Sequence, residues 1–123
     1  MKTVHSDTAP KAIGPYSQGI ISNGFLYISG QGGFDPETGA VVPGGIEAEA
    51  EQSCKNVKAI VEAAGGDITN TVKTLCFLAD INDFAAFNAI YGKYFTGKPA
   101  RSCIAVKALP KNLLCEIEAV VEL

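Results

Sequence analysis

Apolar residues recur at Ile46, Ala50, Cys54, Val57, Val61 and Ala64, in steps of four, four, three, four and three that place them on one face of a helix. Glu47, Glu49 and Glu51 stand near the N-terminal end of this pattern, where carboxylates complement the helix dipole, and Gly65-Gly66 supplies a C-terminal stop. Ahead of it, Tyr16 to Ser22 and Phe25 to Gln31 are rich in β-branched and aromatic residues and flank Asn23-Gly24, a pair that tolerates the positive φ of a tight hairpin turn. A first β-hairpin is therefore expected, followed by a glycine-rich strand exit, Gly30-Gln31-Gly32-Gly33, and a turn over Asp35-Pro36-Glu37-Thr38-Gly39. The run Val72 to Ala79 reads as a buried strand. After Asp80-Ile81-Asn82-Asp83 a second helix carries Phe84, Phe87, Tyr91 and Phe95 on one stripe.

Two strands close the chain, Arg101 to Leu109 and Leu113 to Leu123, joined across Pro110-Lys111-Asn112. In the last strand the odd positions Leu113, Cys115, Ile117, Ala119, Val121 and Leu123 are all apolar, while the even ones include Glu116, Glu118 and Glu122, so the odd face is the expected core. In the strand before it, Ser102, Ile104, Val106 and Ala108 form the mostly apolar set. Arg101, Cys103 and Lys107 are accordingly expected on the opposite, non-core face, the one that Glu116 occupies. The order ββαβαββ, with two helices, covers one face of a sheet and leaves the other with Leu114 and Val120 among its charges, a composition that predicts a subunit interface.

A length of 123 residues predicts a single domain, 1–123. With 47% hydrophobic and 19% charged residues the chain is globular in composition, and disorder is excluded. Ten basic residues against thirteen acidic ones leave a formal charge of -3, and no run of Lys or Arg provides a footprint for nucleic acid or an anionic membrane. Apolar stretches such as Leu75 to Ala79 fall far short of the roughly 20 residues of a membrane-spanning helix, and the start, MKTVHSDTAP, lacks the apolar centre of a secretory signal, so a cytoplasmic protein is expected. Cys54, Cys76, Cys103 and Cys115 form no C-x-x-C pair and the single histidine is His5, which predicts no metal site. Cys54 and Cys76, set among apolar neighbours, read as small hydrophobes. The glycine cluster has no following Lys-Ser/Thr, as a phosphate-cradling loop requires.

On the polar face, Glu116 and Glu118 lie two residues apart, about 6.6 Å along the strand, where like charges repel unless a cation stands beside them. Arg101 and Lys107 are the available cations. On parity alone, a solvated lattice of ion pairs that contributes little is the plainer account. A nucleophilic triad is not available, since the one histidine has no convincing Ser or Cys partner.

The strings Ile13-Gly14-Pro15-Tyr16-Ser17-Gln18, Ser29-Gly30-Gln31, Pro99-Ala100-Arg101-Ser102-Cys103, Leu109-Pro110 and Cys115-Glu116-Ile117-Glu118, with Asn88 in the second helix, together resemble the RidA family, also called YjgF/YER057c/UK114. The resemblance spans nearly the whole chain, with one departure: only Thr96-Gly97-Lys98 separates Tyr94-Phe95 from Pro99, where many members carry a longer segment. It implies a chorismate-mutase-like α+β fold and a homotrimer with active sites in clefts between subunits. It also implies hydrolysis, without a cofactor, of reactive enamines and imines such as 2-aminoacrylate or 2-iminobutanoate to 2-oxo acids and ammonia. By resemblance Arg101 anchors the substrate carboxylate through paired charge-assisted hydrogen bonds. Glu116 orients the attacking water and accepts its proton, with Glu118 as the runner-up. Tyr16 lines the cleft, and Ser29, Gly30, Asn88 and Cys103 contact the substrate, although each has a purely structural alternative. No neighbouring histidine or cation cluster is evident to turn the Cys103 thiol into a nucleophile. Asn88, on an otherwise apolar stripe, needs a polar partner, and an interface is one place to find it. The alternative function is a non-catalytic trimeric binder of small carboxylates, or a regulator, on the same fold.

Overall fold

The computed structural model describes residues 1–123. Its elements are β1 (Lys2–Val4), β2 (Gly19–Ser22), β3 (Phe25–Gly32), α1 (Gly45–Ala63), β4 (Thr71–Leu78), α2 (Phe84–Tyr94), β5 (Ala100–Ala105) and β6 (Cys115–Glu122). The strands form one six-stranded sheet in the order β1-β2-β3-β6-β4-β5. Only β4 and β5 pair in parallel; every other neighbouring pair is antiparallel. α2 is thus the crossover between β4 and β5, and α1 carries the chain from β3 over β6 to β4.

The hairpin forms as expected, with Asn23 at φ 51 and Gly24 at φ 81, the two positive angles of a turn that matches strand twist. β2 begins only at Gly19, however. Residues Tyr16 to Gln18 belong to a loop, and β1, which no pattern announced, extends the sheet beyond β2. The β1 segment continues into residues fastened by Gln18, whose buried side chain accepts from the Ser6 N–H at 2.6 Å and donates to the Ser6 and Pro10 carbonyls at 3.1 and 2.8 Å.

Both helices cover the same sheet face. Ala50, Cys54, Val57, Ile60 and Val61 of α1 and Phe87 and Tyr91 of α2 pack on Leu26, Ile28, Cys76, Leu78, Cys115, Ile117, Ala119 and Val121 within one core cluster of 19 buried residues. The odd positions of β6 are buried as its parity predicted, apart from Leu123 beyond its end. Helix α1 ends where foreseen: Gly65 takes φ 79 and the Gly66 N–H donates to the Val61 carbonyl at 3.0 Å. Two of its acidic residues serve tertiary contacts rather than the dipole. Glu51 accepts from the Tyr94 hydroxyl at 2.7 Å, and Glu49, 5% exposed, accepts from the Leu114 N–H at 2.8 Å.

The parity of β5 corrects one expectation. Its register aligns Arg101 with Thr74 and Cys103 with Cys76, both of which are buried under the helices. Arg101 and Cys103 therefore face α2, while Ile104, 46% exposed, stands on the helix-free face beside Phe77 and across from Glu116. β5 is an edge strand of six residues, ending at Ala105 rather than Leu109, and its apolar set includes side chains that nothing in this chain covers. No helix is long and apolar enough to cross a membrane.

Candidate active site

β3 carries a bulge where its partner β6 carries Glu118. Ile28 pairs with Ala119 and Gln31 with Ile117, so Ser29 and Gly30 together oppose one residue. Such an insertion bends a strand locally and re-aims its groups. Here it brings the Gly30 backbone under the Glu116 side chain: a β-carbon added to Gly30 would stand 2.6 Å from Glu116 Oε2. The missing side chain is the space in which the carboxylate lies. Ser29 is occupied structurally, its hydroxyl donating to the Ser17 carbonyl at 2.6 Å and its N–H to the Gln18 carbonyl at 3.0 Å, which lays the loop bearing Tyr16 along the bulge.

Glu116, Gly30 and Tyr16 line one recess of about 330 Å3, with Ile13, Phe34, Pro110 and Leu113 among its apolar walls. Burial raises the Glu116 carboxyl above its ordinary value, and the neighbouring Glu118 charge adds to the shift. Tyr16 is half exposed at the rim. Glu118 is exposed and lies along a separate shallow recess with Tyr27, Lys73 and Leu75, so the structure separates the two carboxylates that the sequence left as rivals.

Arg101 stands elsewhere. Its Nη1 donates to Asn88 Oδ1 at 2.7 Å, and its guanidinium lies over the Tyr91 ring at 4.8 Å and near the Phe84 ring at 5.5 Å. The Tyr91 ring is itself held, its hydroxyl sharing a 2.7 Å hydrogen bond with Thr74 Oγ1. Asn88 thus finds its polar partner within the chain rather than across an interface. A guanidinium fixed by one nitrogen and by stacking keeps further N–H groups for a ligand, and Asn88, Tyr91, Pro99 and Arg101 line a second, open recess. Cys103 follows on the same face; burial raises its thiol, with Arg101 offsetting part of the rise, so the thiol stays protonated near neutral pH. Burial likewise pushes the Cys76 and Cys115 thiols up to about 12.

Within one chain, then, Glu116, Tyr16, Ser29 and Gly30 gather on one side and Arg101, Asn88 and Cys103 on the other, with the sheet between them. The expectation that Arg101 and Glu116 share a face does not hold. Two buried polar side chains that sequence patterns missed, Glu49 and Asn56, hold the recess from behind. Asn56 Nδ2 donates to the Gly32 and Phe34 carbonyls at 3.0 Å each, and its position in α1 next to Val57 was the one visible signal.

The profile of the endoribonuclease L-PSP family matches residues 6–123. A rat protein named 2-iminobutanoate/2-iminopropanoate deaminase is 51% identical over 120 residues, 97% of this chain and 88% of that protein. A Lactococcus lactis protein named as a regulator, AldR, is 50% identical over 99% of this chain and 98% of its own length. Among solved structures, Escherichia coli TdcF with bound serine superposes with a TM-score of 0.95 at 39% identity, covering 100% of this chain and 99% of that one. With the bulged glycine strand, the Arg101 edge and the Glu116 strand all inside the matched span, the chain belongs to the endoribonuclease L-PSP family, the RidA/YjgF family that its motifs resemble.

Proposed function

We propose that this protein is an imine deaminase that hydrolyses small 2-imino acids, and the enamines that tautomerise to them, to 2-oxo acids and ammonia. The observation that carries the reading is the Glu116 carboxylate laid across Gly30 in a largely apolar recess, with its carboxyl raised by burial. Raised in this way by burial and by the Glu118 charge, it is a stronger base than a carboxylate at its ordinary value. Water adds to the carbon of the C=N bond while Glu116 takes its proton. That proton passes to the nitrogen to give the carbinolamine, and Glu116 then carries the carbinolamine hydroxyl proton to the amino group, so that the C–N bond breaks with release of neutral ammonia as the C=O bond forms.

Arg101 supplies the carboxylate anchor. Since it faces α2 while Glu116 faces away from the helices, a site that uses both needs two subunits, and we place Arg101 of one beside the recess of the next in a homotrimer. Tyr27, 48% exposed, and Ile104 on the helix-free face are the apolar surface such an assembly would cover. Tyr16 at the rim, the backbone at Ser29 and Gly30, and Asn88 and Cys103 beside Arg101 complete the contacts. Serine in TdcF is an amino acid with the same α-carboxylate, which supports a site for small carboxylates. The family's descriptive name speaks of RNA cleavage. The net charge of -3 favours a small anion held by one arginine over a polyphosphate chain. No cofactor or metal is invoked, and four free cysteines accord with a cytoplasmic location.

The test is ammonia release from freshly generated 2-aminoacrylate and 2-iminobutanoate. Glu116→Gln should lower kcat about 10²- to 10⁴-fold, the usual range for losing a general base. Arg101→Lys, which keeps charge but loses the planar fork, should lower kcat/KM roughly 10- to 100-fold. Glu118→Gln should cost little. Loss with Glu118→Gln and retention with Glu116→Gln would reassign the base. Indifference to both variants, or no ammonia from the wild type, favours the regulatory reading that the AldR name offers.

A further inference from the structure

Glu49 is the one carboxylate in the chain that is almost wholly buried, and no cation accompanies it. Its Oε1 accepts from the Leu114 N–H at 2.8 Å, two residues before Glu116 and one before β6 begins. On the neighbouring strand, Gly33 follows β3 and lies against the same helix position: a β-carbon there would stand 2.8 Å from the Glu49 α-carbon. The exit of β3, which carries Gly30, and the entry of β6, which carries Glu116, are therefore both referenced to one turn of α1.

From this geometry we infer that Glu49 is a positioning residue for imine hydrolysis: its carboxylate holds the Leu114 amide and so sets where the Glu116 carboxylate lies over Gly30. The inference rests on the deaminase reading for its kinetic consequence, though not for its structural one. What the position requires is an acceptor of the right length. The Leu114 carbonyl is held independently by the Ala79 N–H at 3.0 Å, so losing Glu49 frees one side of the residue while the other stays tied to Ala79, the residue just after β4. The result is a shift of the strand entry rather than its loss. Displacements of about 1 Å in a reacting group lower turnover by up to about 100-fold without comparable effects on binding.

Two variants separate reach from charge. Glu49→Asp keeps the charge and falls short of the amide; Glu49→Gln loses the charge and keeps the reach. Glu49→Asp should lower kcat about 10- to 100-fold with KM within about 2-fold, and Leu114 amide hydrogen exchange should quicken at least about 10-fold. Glu49→Gln should keep kcat, Leu114 exchange and the carbon-13 shift of the Glu116 carboxyl near wild type. Wild-type kcat in Glu49→Asp despite faster Leu114 exchange overturns the inference, as does a Glu49→Gln variant that fails as Glu49→Asp does. Should Glu49→Asp not fold, a displaced Glu116 carboxyl shift in Glu49→Gln with Leu114 exchange unchanged overturns it, and an unmoved shift upholds it. A wild type inactive on imines defeats the deaminase reading and leaves Leu114 exchange and the Glu116 shift to decide this one.

Discussion

At the scale of single residues, the site depends on an absent side chain as much as on those present. Gly30→Ala places a methyl group 2.6 Å from Glu116 Oε2, inside any tolerated contact, so the carboxylate must move. Turnover is expected to fall about 10- to 100-fold with the secondary structure intact by circular dichroism, because the glycine is needed for close approach rather than for a positive φ. Charge at Glu49 has a separate, thermodynamic signature. Burial raises its carboxyl, the Leu114 N–H holds back part of the rise and Asp83 adds to it. The folded state thus binds this proton more readily than the unfolded chain does. The stability it contributes is fully present below the unfolded carboxylate value and is lost as pH rises through the raised folded value. Glu49→Gln carries no charge to desolvate, so its urea midpoint relative to wild type should rise as pH climbs from the unfolded carboxylate value through the raised folded value of Glu49 and level off beyond it. A difference independent of pH would contradict this.

At the scale of elements, α1 acts as a jig for the loop that follows β3. Asn56 is fully buried, donates two hydrogen bonds to the Gly32 and Phe34 carbonyls, and accepts from Gln52 Nε2 at 2.8 Å. Asn56→Ala leaves the Phe34 carbonyl without a donor in the protein, while the Gly32 carbonyl keeps the Phe34 N–H at 2.9 Å. The expected loss is about 1 to 3 kcal/mol of stability, measured by chemical denaturation at fixed protein concentration, the cost of one buried polar group left unpaired. Asn56→Asp, which cannot donate, should lose at least as much. The element most easily misread is β5. In a central strand such as β6, both neighbours and the helices above enforce the alternation, and its odd positions match the core. β5 has one neighbour and a few residues, and exposed Ile104 mimics a core position while Arg101 and Cys103 carry the covered face.

At the scale of the molecule, the sheet keeps Arg101 and Glu116 apart, and this makes assembly a condition of activity in the proposed mechanism. Light scattering should give the mass of three chains at micromolar concentration. Mixed subunits test the composite site directly. Arg101→Ala and Glu116→Gln, each inactive alone, should regain about a quarter of wild-type activity when co-expressed in equal amounts, because one quarter of the interfaces then combine an intact Arg101 with an intact Glu116. A monomer, or trimers that mix without recovery, would remove the two-subunit site.

Much of the architecture was legible in the chain itself, for local reasons. The spacing from Ile46 to Ala64, the Asn23-Gly24 turn, the Gly65-Gly66 stop and the alternation in β6 follow from helix and strand periods and from the φ angles that glycine and asparagine accept. Motifs also marked Tyr16, Gly30, Arg101 and Glu116 as a set. What they left undecided was placement. Which face Arg101 takes depends on β5 lying parallel beside β4 under α2; why Gly30 is glycine depends on a bulge opposite Glu118; and why Glu49 and Asn56 are buried depends on backbone groups about 65 and 22 to 24 residues away. Periodicity records only which residues a neighbouring surface covers. Pairing, register and the partners of buried polar groups are set by long-range contacts, and these exist only once the sheet has assembled.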